Sequence, residues 1–231
     1  MEDRFGGVSR RGFIKGGVAA AALAGLAGCG KNNTGSATSG GSSSDAGAST
    51  GGVLKYYIND PVAIDPYNTQ ESEGTQVAKC LFDSLTKYNY DTKELEPAAA
   101  ESWESNDDAT QWTFHIRKDC KFHNGDTVKA EDFKRGFERI CDPTMKTPSD
   151  VAYHLDPVKG AKEMQAGEAD EISGVTCPDD YTLVFDLITP MSEWPLVCAH
   201  QALVPVPKAA RDDPDSFLVA PIGNGPFQMD G

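Results

Sequence analysis

Between Trp112 and Cys141 the apolar residues change period, and this bounds the possible fold more tightly than any other feature of the chain. Trp112, Phe114 and Ile116 alternate with Thr113, His115 and Arg117, the period-two pattern of a half-buried strand. Asn124-Gly125-Asp126 predicts a tight turn, because Asn and Gly tolerate positive φ. Phe133, Phe137, Ile140 and Cys141 then recur at helical spacing, with Glu131 and Asp132 placed to suit the positive end of the helix dipole. Asp142-Pro143 stops that helix. A strand that hands over to a helix through one short turn excludes an all-α and an all-β fold.

Weaker signals flank this unit. Val53-Leu54-Lys55-Tyr56-Tyr57-Ile58 predicts a strand that enters a turn at Asn59-Asp60-Pro61. Val77, Cys80, Leu81 and Leu85 predict a helix near 74–85. Leu183, Phe185 and Leu187 alternate with Val184, Asp186 and Ile188, which predicts a late strand ending at Pro190. No regular βαβ spacing and no repeat is visible, so the fold class is α/β in the mixed α+β sense.

The first fifty residues stand apart. Arg4, Arg10, Arg11 and Lys15 precede an uncharged Gly/Ala/Leu/Val run from Gly16 to Ala27, too short and too weakly apolar for a membrane-spanning helix. It reads as the apolar region of an export signal over 1–28. Ser9-Arg10-Arg11-Gly12-Phe13-Ile14-Lys15 resembles a twin-arginine signal, and Leu26-Ala27-Gly28-Cys29 resembles a bacterial lipobox. The resemblance implies twin-arginine export, cleavage before Cys29 and lipidation of its sulfur, which anchors the protein to the outer face of the membrane or in the periplasm. From Gly30 to Gly52, 13 of 23 residues are Gly or Ser, so 29–52 is expected to be a flexible tether with a reach of about 26 Å.

Composition excludes several functions. With 21 basic against 35 acidic residues and a formal charge of −14, the chain lacks the basic footprint of a nucleic-acid binder. Cys29, Cys80, Cys120, Cys141, Cys177 and Cys198 contain no Cys-x-x-Cys pair, against a closed zinc site. Cys80 and Cys141 fall on apolar helical faces and are expected to be buried. No Gly-x-Ser-x-Gly, His-Glu-x-x-His or Gly-x-x-x-x-Gly-Lys-[Ser/Thr] motif occurs, so neither hydrolase chemistry nor nucleotide binding is supported, and no cofactor is expected. His115 and His123 are expected in solvent, and the four histidines look dispersed.

Several blocks together resemble a known family. They are Ile64-Asp65-Pro66, Leu81-Phe82-Asp83-Ser84-Leu85, Glu96-Pro97-Ala98-Ala99-Ala100-Glu101-Ser102-Trp103, and Trp112-Thr113-Phe114-His115-Ile116-Arg117-Lys118. Phe122-His123-Asn124-Gly125-Asp126, Ala130-Glu131-Asp132-Phe133, Asp179-Asp180-Tyr181-Thr182-Leu183, Val204-Pro205-Val206-Pro207-Lys208 and Asn224-Gly225-Pro226-Phe227 follow in order. The set resembles the peptide- and nickel-binding class of solute-binding lipoproteins of ABC importers, the oligopeptide-binding-protein type. Two positions depart from it. Ser84 stands where members often have Gly, and Lys129 stands where they often have a capping Thr or Ser. Loss of that cap weakens a helix start by about 1 kcal/mol unless Thr127 or Asp126 caps instead.

The resemblance implies a bilobed, periplasmic-binding-protein-like fold that closes on its ligand. It also implies that this sequence is an N-terminal fragment. On that basis 53–82 and 174–231 form part of lobe I, 83–173 forms an inserted subdomain, and the chain alone binds peptide weakly or not at all. Mapped by position, the ligand-facing residues are Gln70, Glu71 and Ser72, with Tyr153 towards the cleft and Asn224 and Gly225 near the hinge. Glu71 as a loop acid, Tyr153 as a core or surface residue, and Asn224-Gly225 as a plain turn remain alternatives. Pro97, Trp103, Trp112, Phe114 and Phe133 read as packing. The implied partners are an oligopeptide, an ABC permease and its ATPase subunits. A nickel- or haem-binding member of the same family, an exported hydrolase and a purely structural lipoprotein are the competing readings.

Overall fold

The structure, a computed structural model, describes residues 53–229. The expected export signal, Cys29 and the expected Gly/Ser tether lie outside the described residues. Residues 55–229 belong to one compact unit.

A four-stranded antiparallel sheet forms the centre. Its strands are β3 (Ala100–Ser105), β4 (Gln111–Ile116), β5 (Val175–Asp179) and β6 (Thr182–Asp186), in the order β3-β4-β6-β5. A separate hairpin pairs β1 (Thr86–Tyr88) with β2 (Leu95–Pro97). The helices are α1 (Ser72–Leu81), α2 (Ala130–Cys141), α3 (Ala161–Gln165), α4 (Trp194–Val197), α5 (Ala209–Asp212) and α6 (Pro214–Val219). Short 3-10 turns span Pro66–Asn68 and Ala152–Leu155. No described helix is long and apolar enough to cross a membrane.

The alternation in β4 sets the core. Trp112, Phe114 and Ile116 are buried, and Phe114 lies opposite Leu183 of β6 and Trp103 of β3. Phe137 of α2 reaches Phe185 at 5.5 Å between ring centroids, and Phe185 meets Phe114 edge-on at 5.6 Å and Trp194 at 5.1 Å. Such pairs add about 0.5–1.5 kcal/mol beyond the area they bury. The turn between strand and helix forms as the sequence demands. Gly125 has φ of 91°, and Asn124 Oδ1 accepts the Asp126 N–H at 3.0 Å. Neither Thr127 nor Asp126 caps α2. Asp132, three residues in, reaches back instead to accept the Lys129 N–H at 2.8 Å, while Lys129 Nζ pairs with Asp180 at 2.8 Å.

Several expectations are corrected. Residues 53–58 form no strand, and Val53, Leu54, Tyr56 and Tyr57 are exposed. A strand needs a ladder to pair with, and no described strand pairs with this segment. The first helix runs from 72 to 81, not 74 to 85. Phe82 turns extended at φ −131° and ψ 140°, so Leu85 enters the core from extended chain. Its buried face is Gly74, Ala78 and Leu81, with Val77 and Cys80 only half-buried. Pro97 is exposed and closes β2 rather than packing. The late strand stops at Asp186, and Leu187 makes an isolated bridge to Val158. One sheet draws strands from both sides of the expected 173/174 boundary.

Candidate functional site

The site residues are positioned by a buried ion pair that precedes them. Asp65 is 1% exposed and accepts two hydrogen bonds from the Arg139 guanidinium of α2, at 3.0 and 2.7 Å. The guanidinium also lies over the rings of Tyr67 and Phe217, at 5.1 and 5.3 Å. This fork fixes the chain just before Gln70 onto α2.

From that anchor the backbone is stitched to the 149–155 stretch. Asn68 Oδ1 accepts the Asp150 N–H at 3.0 Å, Ser149 Oγ donates to the Tyr67 carbonyl, and Gln70 Nε2 donates to the Asp150 carbonyl. Gln70 is thereby tied to the stretch that carries Tyr153, 83 positions away by number. Tyr153 is 60% exposed and stacks on His154 at 4.2 Å. Ser72 opens α1 and faces solvent.

Glu71 has a different task from Gln70 and Ser72. It caps α1, with Oε1 accepting from the N–H groups of Val62 and Gly74 at 2.9 Å each and from Ala63 at 3.4 Å. Burial opposes ionisation of this carboxyl, but the backbone N–H groups around it outweigh burial and hold its pKa below the ordinary value.

Asn224 and Gly225 lie at the other end of α1, about 15 Å away along a ten-residue helix. Asn224 is 8% exposed. Its Oδ1 accepts the Asp83 N–H at 3.1 Å and its Nδ2 donates to the Asp83 carbonyl at 3.0 Å. The Gly225 N–H donates to the Leu81 carbonyl at 2.8 Å, and the Phe227 N–H to the Cys80 carbonyl at 3.1 Å. A Cβ at Gly223 would lie 1.8 Å from the Leu81 oxygen and one at Gly225 2.6 Å from the Leu81 carbon, so only glycine permits this approach. The side-chain amide of Asn224 and the N–H of Gly225 are thus engaged with the protein's own backbone. His123, expected in solvent, is half-buried, and its Nε2 lies 2.9 Å from the Gly225 carbonyl.

Sequence reasoning missed a groove of about 520 Å³, lined in part by Lys79, Tyr88, Tyr90, Leu196, His200 and Gln201. Gln201 Nε2 donates to Thr75 Oγ1 at 3.4 Å, which ties the groove wall to α1. His200 stacks on His154 at 4.0 Å although the two are far apart in sequence, so no spacing motif signals the pair. Among the described residues no group of three His, Cys, Asp or Glu side chains is placed to hold a metal, and no disulfide forms among Cys80, Cys120, Cys141, Cys177 and Cys198. Cys141 is buried as expected and its thiol is pushed up to about 12, whereas Cys80 is only half-buried.

Comparison with known proteins gives consistent matches. Residues 94–231 match the family described as bacterial extracellular solute-binding proteins, family 5, middle region. The chain is similar to the periplasmic oligopeptide-binding protein OppA of Haemophilus influenzae, 33% identical over 174 residues that cover 74% of this chain and 32% of the relative. It is similar also to the dipeptide-binding protein DppE of Bacillus subtilis, 32% identical over 79% of this chain and 34% of the relative. The crystal structure of Haemophilus influenzae OppA in complex with the peptide RPPGFSPFR superposes with a TM-score of 0.68, covering 74% of this chain and 34% of that one. The chain thus spans about a third of the length of the curated relatives it matches.

Proposed function

The chain belongs to the bacterial extracellular solute-binding proteins of family 5, and from that premise we propose that it serves as the extracytoplasmic substrate-binding component of an ABC importer, capturing oligopeptides. The observation that carries this reading is its one-third identity, over three-quarters of the chain, to a protein solved with a peptide bound.

The surface at the N-terminal end of α1 suits such a ligand. An extended peptide offers an N–H and a C=O at every residue, and side chains that trade hydrogen bonds with water can grip that main chain whatever its sequence. Gln70 and Ser72 supply the polar contacts, Tyr153 supplies an exposed aromatic face, and Glu71 holds the backbone between them. Asn224 and Gly225 hold the opposite end of the helix. Binding is non-covalent, and delivery to a permease is driven by ATP hydrolysed on a separate subunit. Export by the twin-arginine route and a lipid on Cys29 would keep the protein at the outer face of the membrane.

Deleting the locus in the native host and measuring uptake of labelled oligopeptides tests the reading. Uptake falls and is restored by the gene in trans. Unchanged uptake, together with a non-peptide ligand found by mass spectrometry on the purified gene product, would overturn it.

A further inference from the structure

One pair of side chains is not absorbed by peptide capture: the imidazoles of His154 and His200, against which Tyr153 packs. Tyr153 lies on His154 at 4.2 Å between centroids, and His154 lies on His200 at 4.0 Å with 35° between the planes. Both imidazoles are half-buried. His154 Nε2 is shut off from solvent and has no hydrogen-bonding partner. His200 Nδ1 lies 3.3 Å from the Ala202 N–H, which it accepts as a neutral ring protonated on Nε2. The stack joins the Ala152–Leu155 turn to the bend that follows α4. The stretch that leads into this turn also carries the Asp150 carbonyl that holds Gln70.

We propose that the His154–His200 stack is an acid-sensitive latch, which pins the 149–155 stretch while both rings are neutral and releases it when either takes a proton. Release moves Tyr153 and frees Gln70, so the grip on ligand weakens in acid; that consequence alone rests on the function proposed above.

The surroundings favour the neutral pair. A protonated His154 must carry an N–H on Nε2, which has no acceptor, whereas the neutral ring can leave that nitrogen bare. A proton on His200 would face the Lys79 ammonium of α1. Tyr88 and Tyr90, from β1 and the residues after it, bring hydroxyls, and Leu196 and Val197 of α4 bring no charge. Asp83 lines the adjoining hollow with Lys79 and pairs with neither ring. Asp156, which follows the turn, is directed to Gln165 and Lys162. An imidazolium gains some attraction from a neighbouring neutral ring, but burial and Lys79 act against it here. Burial lowers the pKa of both histidines, and His154 and Lys79 lower that of His200 further, to about 4. Folded-state values below the ordinary 6.5 mean that the latch is fully closed above that pH. Its contribution is lost as pH falls through the value of each ring, down to about 4.

The test uses the full chain and no ligand. Imidazole proton resonances and thermal melts are followed from pH 8 to pH 4 for the wild type and for His200→Phe, which keeps a stacked ring but cannot titrate. Two histidines titrate below the ordinary value, one of them near 4, and the Tyr153 ring resonances move in the same window. Between pH 6.5 and 4 the wild-type melting temperature falls by about 5 °C more than that of His200→Phe. Ordinary titration of His154 and His200, or parallel melting curves, would overturn the latch. If His200→Phe fails to fold, the wild-type titration decides alone. Labelled-peptide affinity measured over the same range then tests the link to ligand. A loss in acid confined to the wild type supports that link, and identical profiles break it while the latch stands.

Discussion

The two ends of α1 are held by different means. At the N-terminal end a partly exposed carboxylate, Glu71, gathers the N–H groups of 62, 63 and 74, while Gln70 and Ser72 beside it stay open to water. At the C-terminal end the backbone of 223–227 lies along residues 80–83, closed by a buried amide and by glycines with no room for a Cβ. A polar group in the buried arrangement has no alternative partner, so every loss is felt in full. A polar group at the wet end can exchange one partner for another at little cost. A surface that must trade hydrogen bonds with a visiting peptide belongs at the wet end, and the frame that keeps that surface in place belongs at the dry one.

The hardest test of this contrast is the anchor beneath the wet end. Asp65→Ala leaves the Arg139 guanidinium buried without its partner, and unfolding in urea should show a loss of about 3–5 kcal/mol. A loss below about 1 kcal/mol would mean that some other contact holds residues 61–69, and the contrast would fail at its base. Asn224→Ala at the dry end strands the N–H and C=O of Asp83 and should cost about 1–3 kcal/mol, with the midpoint shifted at an unchanged m-value. A neutral result there would mean that water reaches Asp83 and that the end is not dry.

What the sequence discloses follows from which contacts are local. The β4 alternation, the Asn124-Gly125 turn and the Phe133–Cys141 face depend on residues within a few positions of one another, and all three form as read. The first helix is displaced because its deepest contact is Ala78, too small to register beside Leu85, which is buried by a route other than a helical face. Residues 53–58 have the side chains of a strand, but pairing is not a local property. At the candidate site, Gln70, Ser72 and Tyr153 are singled out through resemblance, and the resemblance cannot distinguish a residue that faces ligand from one that shapes the backbone. Asn224 shows this, since its side-chain amide already bonds to the backbone of Asp83. The His154–His200 stack is invisible because nothing within either segment points to the other.

Glu71 sharpens the comparison at its middle. Glu71→Ala removes the cap of α1 and should cost about 1 kcal/mol, whereas Glu71→Gln retains an acceptor oxygen and should cost less than half of that. The carboxyl titrates below its ordinary value of 4.5 in the folded protein, so its contribution is present above that pH and is lost as pH falls through the folded value. Melts from pH 5 to pH 3 should therefore show a smaller acid loss in Glu71→Gln than in the wild type. Equal slopes would remove Glu71 from the account of the wet end.

The smallest effect on stability should come with the largest effect on capture. Tyr153 is 60% exposed and its ring rests on His154, so Tyr153→Ala should change folding free energy by no more than about 0.5 kcal/mol. If the wet end grips peptide, that ring is a contact aromatic, and aromatic anchors at binding surfaces typically carry more than about 1 kcal/mol, or close to tenfold in affinity. Cells that carry Tyr153→Ala should take up labelled oligopeptide about tenfold less efficiently at low concentration, with normal amounts of folded protein. Tyr153→Phe separates the two ways in which the ring can act. Full uptake by the Phe variant assigns the effect to stacking, and loss equal to that of Ala assigns it to the hydroxyl. Wild-type uptake by the Ala variant would mean that the exposed surface at this end is not where peptide lies, and that openness to water is a property of the end rather than a use of it.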